Sequence, residues 1–184
     1  GTRSPDELST EEALAFCHDL AAAGCRCVNL TGGEPLLRRD WPEIARELSG
    51  LGVAVTVITN GLLVDDAMVG RMVEAGVTAA SVSVDGLREA HDAIRQPPSP
   101  AAAGGVKASR YDAARAALER LAGSPLKTAV ITQVHKRNAG DLERLYEVLA
   151  GIRVDAWQVQ LAMPLGRLWR IRFDYLLAPS ALPD

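Results

Sequence analysis

The chain has 184 residues, with 20 basic and 23 acidic side chains and a formal net charge of −3. This near balance argues against general attraction to nucleic acid or to an anionic membrane, and we expect neither partner. No stretch reaches the roughly 20 apolar residues that span a bilayer, and no secretion signal opens the sequence. Three cysteines are too few for a disulfide scaffold, so we expect a cytoplasmic protein.

Short β-branched runs alternate with helical stretches along the chain. Ser9-Thr-Glu-Glu12 is a capping box, in which a hydroxyl and a carboxylate satisfy free backbone N–H groups, and it predicts the start of the first helix. Buried strands are predicted at 27–31, 53–59, 79–84, 127–134 and 156–161. The first three strands begin about 26 residues apart, which is the length of one right-handed βα unit.

The domain organisation follows from composition. Residues 1–177 are predicted to form one core, and within it the Pro-, Ala- and Gly-rich residues 96–109 predict a mobile loop. Residues 178–184 are predicted to begin a linker or C-terminal extension. Parallel βα alternation leaves two architectures, a doubly wound open sheet or a barrel, and both place function at the carboxyl ends of the strands.

Polar or glycine-bearing residues follow all five predicted strands. Gly, Asn and Asp end strands in many proteins, but five such ends on one rim favour a ligand site. Gly32 and Gly33 let a ligand approach the backbone closely. Ser83 and Asp85, two residues apart, share a face of their strand. The five segments are Thr31-Gly-Gly-Glu-Pro35, Thr59-Asn-Gly61, Ser83-Val-Asp-Gly86, Gln133-Val-His-Lys-Arg-Asn138 and Gln160-Leu-Ala-Met-Pro164.

The run Asn29-Leu-Thr-Gly-Gly-Glu-Pro-Leu-Leu37 resembles the GGEP motif of the radical S-adenosylmethionine (SAM) enzymes. Thr59-Asn-Gly61, Ser83-Val-Asp-Gly86 and Met163-Pro-Leu-Gly-Arg167 follow in the family's order. The sequence is similar to the peptide-modifying, SPASM-type branch over most of its length. The resemblance implies an α/β fold, a partial (β/α)6 TIM-like barrel of radical SAM type, with SAM across its carboxyl rim.

The same resemblance implies a set of SAM-binding residues. Gly33 and the neighbouring backbone would hold the methionine amino group, with assistance from Glu34. Ser83 and Asp85 would contact the ribose or the methionine carboxylate, and Met163 would lie beside the adenine. Asn29 and Lys136 would point towards the substrate, whereas no catalytic residue is assigned. The complete SAM-binding set is Gly32, Gly33, Glu34, Pro35, Asn60, Ser83, Asp85, Arg95 and Met163.

The cysteine motif of the family is missing. Its members hold a [4Fe–4S] cluster through CxxxCxxC, a spacing that Cys17, Cys25 and Cys27 do not form. Cys25 and Cys27 precede the GGEP motif by the length of a strand, roughly 15–20 Å, and Cys17 lies on the apolar stripe of a helix. No metal ligand is therefore assigned in this chain. Because the chain starts with Gly1, we expect the cluster loop and one further strand to lie upstream.

The resemblance implies a radical SAM enzyme in the full-length form, with this chain alone inactive. The cluster and SAM would generate a 5′-deoxyadenosyl radical that modifies a peptide or small-molecule substrate, with an electron donor such as flavodoxin or ferredoxin. One alternative is a cluster-less, non-catalytic relative that acts as a binding or partner subunit. Another is a barrel lyase or aldolase, but Lys127 stands at the beginning of its strand, the wrong end for catalysis.

Overall fold

The computed structural model describes residues 7–95, 109–163 and 175–177. The predicted mobile loop, apart from Ser109, and the predicted extension at 178–184 lie outside the described residues, as does Arg167. Two short 3-10 helices, Pro35–Leu37 and Ala139–Asp141, accompany the regular elements. Those elements are α1 (Thr10–Ala22), β1 (Cys27–Leu30), α2 (Trp41–Gly50), β2 (Ala54–Thr59), α3 (Asp66–Glu74), β3 (Val77–Ser83), α4 (Arg88–Arg95), α5 (Arg110–Ala122), β4 (Lys127–Val134), α6 (Leu142–Ile152) and β5 (Ala156–Leu161).

The five strands form one parallel sheet in the order β1-β2-β3-β4-β5. A doubly wound sheet reverses its strand order at a switch point, and this sheet has no reversal. The doubly wound alternative is therefore wrong. Strands that pair strictly in chain order are those of a barrel, and the five of them form the predicted half-barrel.

The predicted strands agree closely with the observed ones. Strands β4 and β5 have the predicted bounds, β1 and β2 are each one residue shorter at one end, and β3 begins two residues and ends one residue earlier than predicted. The capping box at the start of α1 is confirmed: the Ser9 hydroxyl accepts from the Glu12 N–H, and the Glu12 carboxylate accepts from the Ser9 N–H. Ends of elements are the least determined part of any pattern, because the last pairing depends on the neighbouring strand.

The core lies between one face of the sheet and the helices. In β2 the side chains of Val55 and Val57 are fully buried on this face, and helices α3 and α5 cover it with Met72 and Leu118. Burying one such side chain stabilises the fold by about 1.5–3 kcal/mol. The alternate residues of each strand lie on the opposite, inner face of the half-barrel. That face is half-buried to exposed and carries, among others, Asn29, Thr56, Ser81, Ser83, Gln133 and Gln160.

No helix in the described part of the chain combines the length and the apolar composition needed to cross a membrane.

Candidate functional site

The loop after β1, residues 31–35, is called the glycine loop, and it exposes its backbone. Gly32 has φ +135°, a conformation that residues with a side chain rarely adopt. A Cβ atom at Gly32 or Gly33 would meet no other atom within 4 Å, so open space surrounds both residues. Pro35 then begins the short 3-10 helix and ends the extended segment. A ligand can therefore reach the backbone N–H and C=O groups of this loop directly.

Glu34 fastens this loop to the end of β2. Its Oε1 accepts hydrogen bonds from the Thr59 hydroxyl at 2.8 Å and the Leu36 N–H at 3.3 Å. Its Oε2 accepts from the Asn60 N–H at 2.8 Å. These donors are all neutral, and Glu34 forms no ion pair in the described part of the chain. The carboxylate is therefore fixed in position, and no cation of the described residues is paired with it.

A wide, open cavity of about 1050 Å³ lies against this loop. Its lining includes Gly32, Gly33, Glu34, Pro35 and Asn60, which are five of the nine residues predicted to bind SAM. SAM carries an ammonium and a sulfonium, and both cations suit a cavity with an unpaired carboxylate at its edge. These residues therefore fit SAM, although their individual contacts with it stay predictions.

Ser83, Asp85 and Arg95 belong to a second group, at the ends of β3 and β4. Asp85 is only 4% exposed, and its Oδ2 accepts from Arg95 Nε at 2.7 Å. Its Oδ1 accepts from the Gln133 N–H at 2.9 Å. Gln133 lies in the part of β4 beyond the end of β3, so this N–H has no partner in a β3 strand residue. Ser83 is the last residue of β3 and is half-buried on the inner face. The direct roles of these three residues towards SAM stay predictions.

His91 and Asn138 form hydrogen bonds with backbone groups of this second group. The Asp85 N–H donates to His91 Nδ1 at 3.1 Å. Burial, followed by the nearby Arg95 cation, lowers the pKa of His91 to about 4, so its imidazole is neutral at pH 7 and Nδ1 is free to accept. The Asn138 amide donates to the carbonyl oxygens of Asp85 and Gln133 and accepts from the His135 N–H, all within 2.9 Å.

Met163 lies apart from the first group, the one at the loop after β1. It follows β5, which is four strands away from β1 in the sheet, and its side chain is 60% exposed. Met163 does not line the cavity beside the glycine loop. Its contact with adenine stays a prediction.

The described residues do not fit the iron–sulfur cluster. Cys17 is buried in α1, where its thiol donates to the Ala13 carbonyl. Cys25 and Cys27 lie at the amino end of β1, opposite to the glycine loop, and the Cys25 thiol donates to the Cys27 carbonyl. Across the described ranges, no group of three or more His, Cys, Asp or Glu side chains could hold a metal ion.

Sequence reasoning missed a polar cluster that joins α1, α2 and the segment after the glycine loop. Arg38 donates to Asp40 at 2.8 Å and to the carbonyl of Leu8 at 3.2 Å, and Thr10 donates to Asp40 at 2.6 Å. Asp40 is the N-cap of α2 but makes no capping hydrogen bond, because its carboxylate turns to these two partners. Its pKa is lowered, because the hydrogen bonds from Arg38 and Thr10 outweigh the opposing effect of burial.

Comparison with known proteins places these features in a family. The sequence profile of the Radical SAM superfamily matches residues 1–149. The chain is 33% identical over 144 residues to the Fe-coproporphyrin III synthase of Methanosarcina barkeri, covering 78% of this chain and 34% of that protein. It is 27% identical over 179 residues to the PqqA peptide cyclase of Rhizobium meliloti, covering 97% and 45%. The chain thus spans less than half the length of either relative.

Solved structures share the fold. The structure of native anSMEcpe with bound AdoMet matches with a TM-score of 0.73 at 17% identity, over 98% of this chain and 49% of that one. The structure of Streptococcus suis SuiB bound to its precursor peptide SuiA matches with a TM-score of 0.72 at 13% identity, over 89% and 35%. With the profile match covering most of its length, the chain belongs to the radical SAM superfamily of enzymes, which use SAM and a [4Fe–4S] cluster.

Proposed function

We propose that the full-length protein is a radical SAM enzyme that binds SAM beside the glycine loop and modifies a peptide. The observation that carries the SAM site is the combination of an open Gly32–Gly33 backbone with the fixed charge of Glu34, which pairs with no cation in the described residues. When bound, SAM and the cluster supply the radical that takes a hydrogen atom from substrate.

The residues of this chain bind and orient SAM. Backbone groups of Gly32 and Gly33 accept or donate hydrogen bonds to the methionine end, and Glu34 attracts its ammonium. Arg95, held by Asp85, offers its remaining guanidinium donors to the methionine carboxylate or a ribose oxygen. The Ser83 hydroxyl is within the same rim. Glu34 and Arg95 are each positioned by their own hydrogen bonds before SAM arrives, which reduces the entropy lost on binding.

The proposal of a peptide substrate rests on the relatives and on the inner face. PqqA peptide cyclase aligns over nearly the whole of this chain, and SuiB has been solved with a precursor peptide. The inner face of the described sheet carries hydroxyl, amide, aliphatic and thiol side chains, with Lys127 as its single charge, at the amino end and paired with Asp155. An uncharged polar wall suits peptide groups.

A tetrapyrrole is the second candidate substrate class. It is favoured by the 33% identity to Fe-coproporphyrin III synthase and to the AdoMet-dependent heme synthase of the same organism. A coproporphyrin carries several carboxylates, which need cationic partners when they leave water. On the described inner face the only cation, Lys127, lies at the end remote from the rim, and this argues for the peptide.

The function is tested with the full-length gene product, purified anaerobically and reconstituted with iron and sulfide. We expect it to bind SAM and to release 5′-deoxyadenosine when reduced by flavodoxin, ferredoxin or a chemical reductant. The absence of 5′-deoxyadenosine from iron-loaded protein would contradict the enzymatic proposal, and SAM binding without iron would support the non-catalytic relative. A mass change in iron coproporphyrin III, and none in peptides encoded beside the gene, would overturn the peptide proposal.

A further inference from the structure

Two glutamine side chains meet on the inner face near the rim. Gln133 on β4 and Gln160 on β5 are partners in the parallel register, and each is the last residue but one of its strand. Gln133 Nε2 donates to Gln160 Oε1 at 2.8 Å. Both side chains are half-buried, so they are ordered by each other and still face the space inside the half-barrel.

The backbone of Gln133 is held by side chains at both of its polar groups. Its N–H donates to Asp85 Oδ1 at 2.9 Å, and its carbonyl accepts from Asn138 Nδ2 at 2.9 Å. Asp85 and Asn138 are buried, with 4% and 0% of their surfaces exposed. The backbone that carries the Gln133 side chain is therefore fixed. A side-chain amide held in this way can select a ligand group by the direction of its hydrogen bonds.

The contact between the amides leaves one carbonyl oxygen and one NH₂ group wholly unused. A carboxamide has one oxygen acceptor and two N–H donors, and the contact between the glutamines uses one donor and one lone pair. The Gln133 oxygen and the Gln160 NH₂ group have no other hydrogen-bond partner in the described residues. Exchange of oxygen and nitrogen in both amides would again leave one carbonyl oxygen and one NH₂ group unused.

We infer that the Gln133–Gln160 pair is a subsite for the backbone N–H and C=O of one extended residue of a peptide substrate. The free carbonyl oxygen accepts from the N–H of that residue, and the free NH₂ group donates to the C=O of the same residue, because both groups of an extended residue point to the same side. The inference rests on the proposed function and makes it more specific: recognition here is of backbone, so it is independent of the side chain that the substrate carries at this position.

The surroundings favour a neutral ligand group over a charged one. On the inner face Ser83, Ile131 and Gln158 form the next row towards the amino ends of the strands, and none of them is charged. The nearest carboxylate, that of Asp85, is already paired with Arg95. A carboxylate that left water to reach the glutamines would find the Arg95 cation already paired with Asp85, whereas the backbone of a peptide residue would exchange two hydrogen bonds with water for two with protein.

The subsite is tested by NMR on the full-length protein, deuterated and labelled with ¹⁵N in its glutamine side chains. The probe is N-acetylalanine N-methylamide, an uncharged molecule that contains peptide groups, and acetate serves as the charged comparison. Gln133→Met and Gln160→Met assign the two signals, and each keeps a similar side-chain volume. Gln158→Met is the matched control, because Gln158 lies on the same face of β5 without a glutamine partner.

We expect the diamide to shift the side-chain NH₂ signals of Gln133 and Gln160, and acetate to leave them unchanged. Gln133→Met should weaken diamide binding about fivefold, the factor expected for one neutral hydrogen bond, and Gln158→Met should not weaken it. Equal shifts with acetate, an equal effect of Gln158→Met, or no shift at either glutamine would overturn the subsite.

The same protein sample separates this inference from the proposed function. SAM binding and release of 5′-deoxyadenosine are measured on it independently of the NMR signals. If both are present and the glutamines do not respond to the diamide, the subsite is wrong and the SAM enzyme stands. If the glutamines respond and no SAM binds, the proposed function is wrong and the pair remains a peptide-group site.

Discussion

The carboxylate of Glu34 can accept about four hydrogen bonds, two at each oxygen. Three of these places are filled within the chain, by the Thr59 hydroxyl and the N–H groups of Leu36 and Asn60. Among the described residues nothing fills the second place on Oε2, and Glu34 lines the cavity. A single ammonium N–H therefore completes the residue without displacing any of its existing partners.

This count predicts the effect of Glu34→Gln in the full-length protein. The amide removes the negative charge and places a donor group against either the Thr59 hydroxyl or the Asn60 N–H, so we expect SAM affinity to fall about tenfold or more. Isothermal titration calorimetry with SAM measures the change. Glu43→Gln, an exposed residue in the first turn of α2, is the control with the same change of charge. Unchanged affinity in Glu34→Gln would contradict the assignment.

His91 predicts how stability depends on pH. Its folded pKa is lowered to about 4 from an ordinary 6.5, so between these values the unfolded chain binds a proton that the folded chain does not. Above pH 6.5 the neutral His91 makes its full contribution to the free energy of unfolding. This contribution is lost as the pH falls towards 4, and the loss in the free energy of unfolding is roughly 3 kcal/mol at most.

The measurement compares urea unfolding of the parent and of His91→Gln at several values of pH. Glutamine can accept from the Asp85 N–H through its oxygen but does not titrate. We expect a smaller loss of unfolding free energy in the variant between pH 6.5 and 4. Parallel curves for the two proteins would show that His91 does not carry this dependence.

At the scale of elements, the ends of β3 and β4 are joined by side chains in place of a ladder. Strand β3 stops at Ser83, whereas β4 continues to Val134. The carboxylate of Asp85 and the amide of Asn138 satisfy the backbone groups that a longer β3 would have paired. Gly86 makes room for this arrangement, since a Cβ there would lie 3.1 Å from the Cβ of Asn138.

Asn138→Ala tests this junction. The substitution leaves the buried carbonyls of Asp85 and Gln133 and the N–H of His135 without their partner, so we expect a loss of roughly 2–4 kcal/mol in the free energy of unfolding. Glu147→Ala, on the exposed side of α6, should change it by less than about 0.5 kcal/mol. Urea unfolding monitored by tryptophan fluorescence measures both, and equal losses would contradict the role of Asn138.

Local elements were predictable because each is determined by neighbours in sequence. The alternating burial of Lys127–Val134 and the capping box at Ser9 each depend on residues that are only a few positions apart in the sequence. The cluster around Arg38 was not predictable, because Thr10 and Asp40 are 30 residues apart and no sequence motif links two such positions. The Gln133–Gln160 contact, across 27 residues, depends likewise on the register of two strands.

At the scale of the whole molecule, periodicity predicted the βα units but left two architectures. Both have the same local pattern, and only the order of pairing, which depends on contacts between units, separates them. The motif at Gly32–Pro35 was informative about the site because a glycine pair, a carboxylate and a proline each have a local backbone role. Its connection to Asn60 required the pairing of β1 with β2.

The strictly sequential strand order also bears on how the chain acquires its fold. Every strand pairs with the one made just before it, so no pairing in the described sheet waits for a distant, later part of the polypeptide. Loop closure then costs little at each step, and contacts of short sequence separation form quickly. A sheet of this kind can be assembled one unit at a time as the polypeptide leaves the ribosome, each finished unit serving as the template for the next.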